Sequence, residues 1–133
     1  MFIDTSAIVA ILAGEPEALA YVACIEATKH RATGPHVRLE ATINLARILG
    51  LPITAAQEMY DAFLVTAEIT VLPIDDAVAR RAVEAFDRYG KGRGHPAQLN
   101  FADCLSYACA AASRAPILFK SRDFIHTDLK VAS

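Results

Sequence analysis

Four acids in this 133-residue chain stand where chemistry can be done: Asp4 in FIDTSAIVAIL, Glu40 in HVRLEA, Asp103 in NFADCLSYACA and Asp123 in ILFKSRDF. Taken singly, each has an ordinary reading. Asp4, followed by Thr5 and Ser6, can cap a helix, and Glu40 can answer a helix dipole. Asn100-x-x-Asp103 resembles a capping box, and Asp123 suits a turn. Together they ask for more, because two carboxylates about 5 Å apart repel by about 3 kcal/mol at an effective dielectric near 20. Ser, Thr or Asn would cap without that repulsion. Clustered acids either raise one another's pKa or gather a hard divalent cation, and oxygen ligands without Cys or His spacing suit magnesium or manganese. Such an ion accepts phosphate oxygens and lowers the pKa of a bound water. The chemistry indicated is phosphate chemistry, with phosphodiester hydrolysis by in-line attack of a metal-bound water needing no covalent nucleophile.

For these acids to meet, the elements that carry them must share an edge. Residues 1–4 read as a short strand feeding a helix over 7–13, and Pro16 opens a second helix to about Lys29. Residues 31–35 are a short extended or turn segment. Leu39, Ile43 and Ala46 then give helical spacing up to a stop at Gly50, with Glu40 in the first turn. Thr54-Ala-Ala-Gln57 reads as a capping box opening a helix to about Ala67, followed by a strand over 69–72. Asp75-Asp76 can cap a helix over 77–89, and Gly90-Lys-Gly-Arg-Gly-His-Pro96 is the clearest loop and the most basic stretch. A helix over 100–113, a strand over 117–119 and a short terminal strand near 129–132 complete the chain. Strands separated by helices imply an α/β fold with a parallel sheet, whose ligands sit beyond the carboxyl ends of the strands. The four acids fall at strand ends and helix starts, hence on that edge. No repeat or linker divides the chain, so residues 1–133 are expected to form a single domain.

Composition narrows the setting. Apolar residues make up 54% and charged residues 21%, an apolar surplus over the usual soluble domain that predicts an oligomer or tight complex. The net charge of −2 excludes a uniformly basic coat and permits a local basic patch. Cys24, Cys104 and Cys109 form no C-x-x-C and leave an odd count, which fits a reducing cytoplasm better than a disulfide framework. There is no basic segment ahead of the first apolar run, and no run long enough to span a membrane; a soluble, unprocessed cytoplasmic protein is expected.

At the four acids the sequence resembles the PIN-domain nucleases and, within them, the VapC-like toxins of bacterial toxin–antitoxin pairs. The likeness rests on FIDTSAIVAIL, Glu40 in HVRLEA, the segment YGKGRGHPAQLNFADCLSYACA, and ILFKSRDFIHTDL, in that order over nearly the whole chain. It implies that Asp4 and Asp103 are the principal metal ligands, with Glu40 and Asp123 completing the cluster directly or through water. Thr5 or Ser6 would orient ligands or water, and Asp128 could supplement or replace Asp123. The resemblance further implies a three-layer α/β/α domain around a mostly parallel sheet, a Mg²⁺- or Mn²⁺-dependent endoribonuclease and homodimers. It also implies neutralisation by a small VapB-like antitoxin in a hetero-oligomer, with DNA reached only through that antitoxin. Ala102 stands where related toxins commonly have glycine. The Ala-rich stretches 8–27 and 41–67 carry apolar surface that a dimer and an antitoxin would cover.

Lys91, Arg93 and His95 in the glycine-rich loop, with Lys120 and Arg122 beside the acidic edge, are candidate RNA contacts. Arg80 and Arg81 read as a solvent face, and Cys104, Tyr107 and Cys109 as packing. Two other readings compete. A non-catalytic interaction module would use the acidic pocket to accept a partner's arginine. A phosphatase with Asp4 as covalent nucleophile lacks its second acid, because Ser6 occupies that place.

Overall fold

The computed structural model describes residues 1–120 and 123–132, the latter without the side chain of Asp123. Its sheet is built from four two-residue strands, β1 (Phe2–Ile3), β2 (Ala32–Thr33), β3 (Thr70–Val71) and β4 (Ile117–Leu118), in the order β3-β2-β1-β4 and parallel throughout. The register aligns Phe2 with both Ala32 and Ile117. Phe2 and Ile3 are fully buried, as a central parallel strand covered on both faces requires. The chain winds outward from β1 through β2 to β3 and then returns to the other side of β1 for β4. That reversal of direction opens a crevice beyond the carboxyl ends of β1 and β4.

Six helices cover the sheet in a three-layer α/β/α arrangement: α1 (Thr5–Leu12), α2 (Ala18–Glu26), α3 (Pro35–Leu49), α4 (Ile53–Thr66), α5 (Asp76–Tyr89) and α6 (Phe101–Ala112). Among them α3 packs on α1 and α4, α1 on α2, and α5 on α6. One apolar core runs beneath all of them, with Tyr60, Phe2, Phe124, Ile8, Leu45, Leu99 and Ile117 fully buried. No helix among the described residues is long and apolar enough to cross a membrane.

Two helix starts differ from the sequence reading. Pro35 takes the first position of α3, its fixed φ suiting a helical first turn, so the helix begins earlier and Glu40 sits in its second turn. Gly34, just ahead, lies where a Cβ would come within 2.6 Å of the His36 ring, so only glycine lets that ring fold back. At α4, the residue before the helix is Pro52, with no side-chain cap, which puts Thr54 inside the first turn. The Thr54–Gln57 capping box therefore does not form. Gly50 ends α3 as expected, at φ 64°, a left-handed conformation that glycine adopts without strain. The terminal segment makes a single bridge, Val131 beside Ile117, rather than a strand.

Candidate active site

Local chemistry fixes Asp4 first. It is the N-cap of α1, and its Oδ2 accepts from the Ser6 N–H at 3.1 Å and from the Ser6 hydroxyl at 2.8 Å. The cap is thus the carboxylate itself, and the hydroxyl holds it rather than capping in its place. Ser6 Oγ in turn accepts from the Lys120 N–H at 2.8 Å, and the Asp4 N–H donates to Leu118 O at 3.0 Å. These bonds stitch the end of β1 to the end of β4 across the crevice and leave Asp4 only 5% exposed.

Asp103 is fixed in the same manner from the other side. Asn100 caps α6, accepting from the Asp103 N–H at 2.9 Å while Asp103 Oδ2 accepts from the Asn100 N–H at 3.1 Å. The capping box is real, and it orients the same carboxylate that faces the crevice. Asp4, Glu40 and Asp103 line one cleft of about 310 Å³, together with Thr5, Ser6, Glu15, Asn44, Arg47, Asn100 and Lys120. Three acids from β1, α3 and α6, far apart in sequence, thus share a wall.

Glu40 shows what this proximity costs. Burial pushes its pKa above the ordinary value of 4.5, the charge of Asp4 pushes it further, and the Thr5 hydroxyl pulls it back. That hydroxyl is buried with no partner that meets hydrogen-bond geometry. Behind the acids, His36 Nε2 lies 2.8 Å from Ser106 Oγ, joining the helix of Glu40 to the helix of Asp103. His36 stacks at 9° to the ring of Phe2, and burial lowers its pKa, so it is neutral at pH 7.

The acids of the cleft offer only oxygen atoms, and the buried Thr5 hydroxyl beside them lacks a well-formed hydrogen-bond partner; both features fit a hard divalent cation. Among the described residues no three such groups converge closely enough to enclose an ion. A cation there would keep much of its water.

The remaining sequence candidates are distributed as follows. Asp123 opens a 3₁₀ turn, Asp123–His126, but its side chain lies outside the described residues, as does Arg122. Asp128 does not line the cleft. It accepts from the Tyr107 hydroxyl at 2.5 Å and faces a different groove, because Ile117 N–H donates to Lys130 O and draws the chain end toward the start of β4. Lys120 does line the cleft, where its ammonium is held by Glu15, with Glu17 at 3.7 Å. Lys91, Arg93 and His95 are absent from the cleft's lining. Arg93 pairs with Asp87 at 2.8 Å, and His95 packs edge-on against Tyr89 while accepting from the Ala97 N–H. Cys104 and Cys109 are buried, with thiols pushed up to about 11 by burial, and are inert packing. Glu15, Asn44 and Arg47 are cleft residues that the sequence reading missed. Asn44 and Arg47 stand four and seven positions after Glu40, a spacing that shares one helix face.

Residues 1–130 match the PIN domain family. The chain belongs to that family. Among its curated relatives, Ribonuclease VapC28 of Mycobacterium tuberculosis is 41% identical over 132 residues, covering 99% of this chain and 97% of that protein. Ribonuclease VapC30 of the same organism is 40% identical over 129 residues, covering 97% and 95%. Of solved structures, Mycobacterium tuberculosis VapC20, a Sarcin-Ricin loop cleaving toxin, superposes with a TM-score of 0.78 at 20% identity, covering 99% of this chain and 98% of that one. A toxin-antitoxin complex from Klebsiella pneumoniae gives 0.68 at 19% identity, covering 96% and 92%. These two likenesses bear on the PIN fold alone.

Proposed function

We propose that this PIN-domain chain is the toxin of a toxin–antitoxin pair, an endoribonuclease that hydrolyses RNA with the help of Mg²⁺ or Mn²⁺. The observation that carries the reading is the meeting of Asp4, Glu40 and Asp103 on one cleft at the switch point between β1 and β4. It is joined by near-full-length similarity to proteins named VapC ribonucleases. Asp4 and Asp103 would hold the cation, with Glu40 and Asp123 supporting them; bound there, it supplies Lewis-acid activation of water at neutral pH. The chain's own contribution is orientation. Ser6 and Asn100 fix the two principal carboxylates before any ligand arrives, and Thr5 would help orient them. Arg47 and Lys120 line the same cleft and can meet the phosphates of the bound strand.

Exposed apolar side chains on α3 and α4, Leu39 at 66%, Ile43 at 50% and Ile53 at 57%, support a surface covered by a second copy or by a small antitoxin. DNA would be reached only through that antitoxin, and the pair would act in the cytoplasm.

The test is cleavage of bacterial RNA with and without Mn²⁺ by the wild type and by Asp4→Asn. Cleavage that needs Mn²⁺ and disappears in the variant supports the reading. Equal cleavage by both proteins would sink it. Mn²⁺ should also raise the Tm of the wild type, since saturation at about 100 times its dissociation constant adds about 2.7 kcal/mol.

A further inference from the structure

A second concavity lies apart from the acidic cleft. It is a groove of about 580 Å³ between α5, the carboxyl end of α6, the entry to β4 and the terminal segment, lined by Arg81, Arg88, Arg114 and Lys130 against only Glu84 and Asp128. One of those acids is already spent: Asp128 accepts from the Tyr107 hydroxyl and lies 4.0 Å from Arg88. Elsewhere Arg38, Arg80, Arg93 and Lys120 each have a carboxylate partner, while Lys29, Arg47 and Lys91, which have none among the described residues, stand apart from this groove. Arg81, Arg114 and Lys130 have none among the described residues, yet they converge on this one groove. Arg114 is held there with φ at 51°, a left-handed conformation that a non-glycine residue adopts at a cost. In a chain whose net charge is −2, such a concentration of unpartnered cations is a local reversal of sign.

We propose that this groove is an RNA-binding exosite that grips the phosphate backbone of the substrate strand away from the acidic cleft. The proposal rests on the ribonuclease reading, and electrostatics give its reason. Acids outnumber cations in the cleft, with Asp4, Glu15, Glu40 and Asp103 against Arg47 and Lys120, so the cleft repels RNA until a cation is bound. Beyond what Arg47 and Lys120 supply there, affinity must come from elsewhere on the surface. The groove lies at the far end of the same helix, with Asp103 and the groove-lining Ala111 about 12 Å apart at about 1.5 Å of rise per residue. A single strand of a few nucleotides spans that distance. Backbone contacts of this kind carry no sequence information and supply binding that weakens steeply with salt.

The full-length double variant Arg81→Ala/Arg114→Ala tests this, with Arg80→Ala as the control, since Arg80 is paired with Asp76 and absent from the groove. With bacterial tRNA as the probe and Mn²⁺ present, the double variant should raise KM about tenfold at unchanged kcat. It should also flatten the log–log salt dependence of binding by about 1.4, the share of two phosphate contacts on a single strand. Arg80→Ala should match the wild type. Unchanged KM and salt slope, or a fall in kcat alone, would overturn the exosite. If the wild type cleaves no RNA, the ribonuclease reading fails, and the groove is then judged by fluorescence anisotropy of labelled tRNA. Tighter binding by the wild type than by the double variant upholds it; equal binding overturns it. Polyglutamate is the competing probe, and a polyglutamate affinity above that for tRNA, lost in the double variant, would assign the groove to an acidic polypeptide and overturn the RNA proposal.

Discussion

The acidic cleft at the amino end of α6 and the basic groove at its carboxyl end differ in sign, and they differ equally in how their charges are restrained. In the cleft, Asp4 and Asp103 are tied by helix-cap hydrogen bonds, and His36 and Ser106 brace the helices behind them. In the groove, Arg81, Arg114 and Lys130 are long exposed side chains without ion-pair partners among the described residues. Fixed carboxylates impose geometry but repel a polyanion; mobile cations attract one while imposing little. The molecule separates orientation from affinity, with each property built from the residue type that supplies it.

The largest effect expected from that separation is at Asp103. Asn in its place can still accept from the Asn100 N–H, so the α6 cap and the fold survive while the charge is lost. Cleavage should fall by at least about three orders of magnitude, about 4 kcal/mol of transition-state stabilisation. Binding of tRNA, measured by anisotropy without divalent metal, should stay within about twofold or tighten, because a repelling charge has gone. A parallel loss of cleavage and binding would break the comparison.

Adjacent residues of α6 sharpen it, because Ser106 serves the cleft and Tyr107 serves the groove. Ser106→Ala strips the half-buried His36 ring of its partner at Nε2, which costs about 1 kcal/mol, toward the low end for an orphaned polar group. We expect that loss in urea denaturation, accompanied by a several-fold fall in kcat as the Glu40 and Asp103 helices lose their brace. Tyr107→Phe removes only the hydroxyl that Asp128 accepts, at about 1 kcal/mol, and should leave kcat unchanged. Opposite outcomes would mean that the groove, and not the His36 brace, sets the cleft's geometry.

Much of this plan was legible because the strand-to-helix transitions carry their own signals. An acid between Phe2-Ile3 and an apolar run, and Asn100-x-x-Asp103 before another, mark helix caps whatever else they do. The structure shows capping and convergence to be the same feature rather than rival readings. What escaped the sequence depends on long-range geometry. Glu15 reaches the cleft because the turn after α1 returns the chain to Lys120, distant in sequence. Asp128 leaves it because Val131 bridges back to Ile117 at the start of β4. Glu40 was placed a turn too early because Pro35 reads equally well as an extended residue or as the first residue of a helix. The basic groove gathers cations from two helices, a turn and a terminal segment, none of which forms a run in the sequence.

The smallest effect lies within the cleft, at Glu40, and it tests whether the acids there oppose folding until a cation arrives. Burial first, and then the charge of Asp4, hold the Glu40 pKa above its ordinary 4.5, so the folded protein retains this proton to higher pH than the unfolded chain. The resulting penalty on folding is absent below the ordinary carboxylate range, grows as pH rises through the interval up to the raised value, and is constant above it. Glu40→Gln removes the charge but keeps the shape. In the presence of a chelator the variant should be more stable than the wild type at pH 7, read as a higher Tm. The two curves should merge near pH 4. Excess Mn²⁺ should reverse the order at pH 7, because a cation favours the ionised carboxylate that Gln cannot supply. If the variant is instead the less stable protein in chelator at pH 7, Glu40 is a structural residue that α3 needs, and the cleft holds two working acids rather than three among those described.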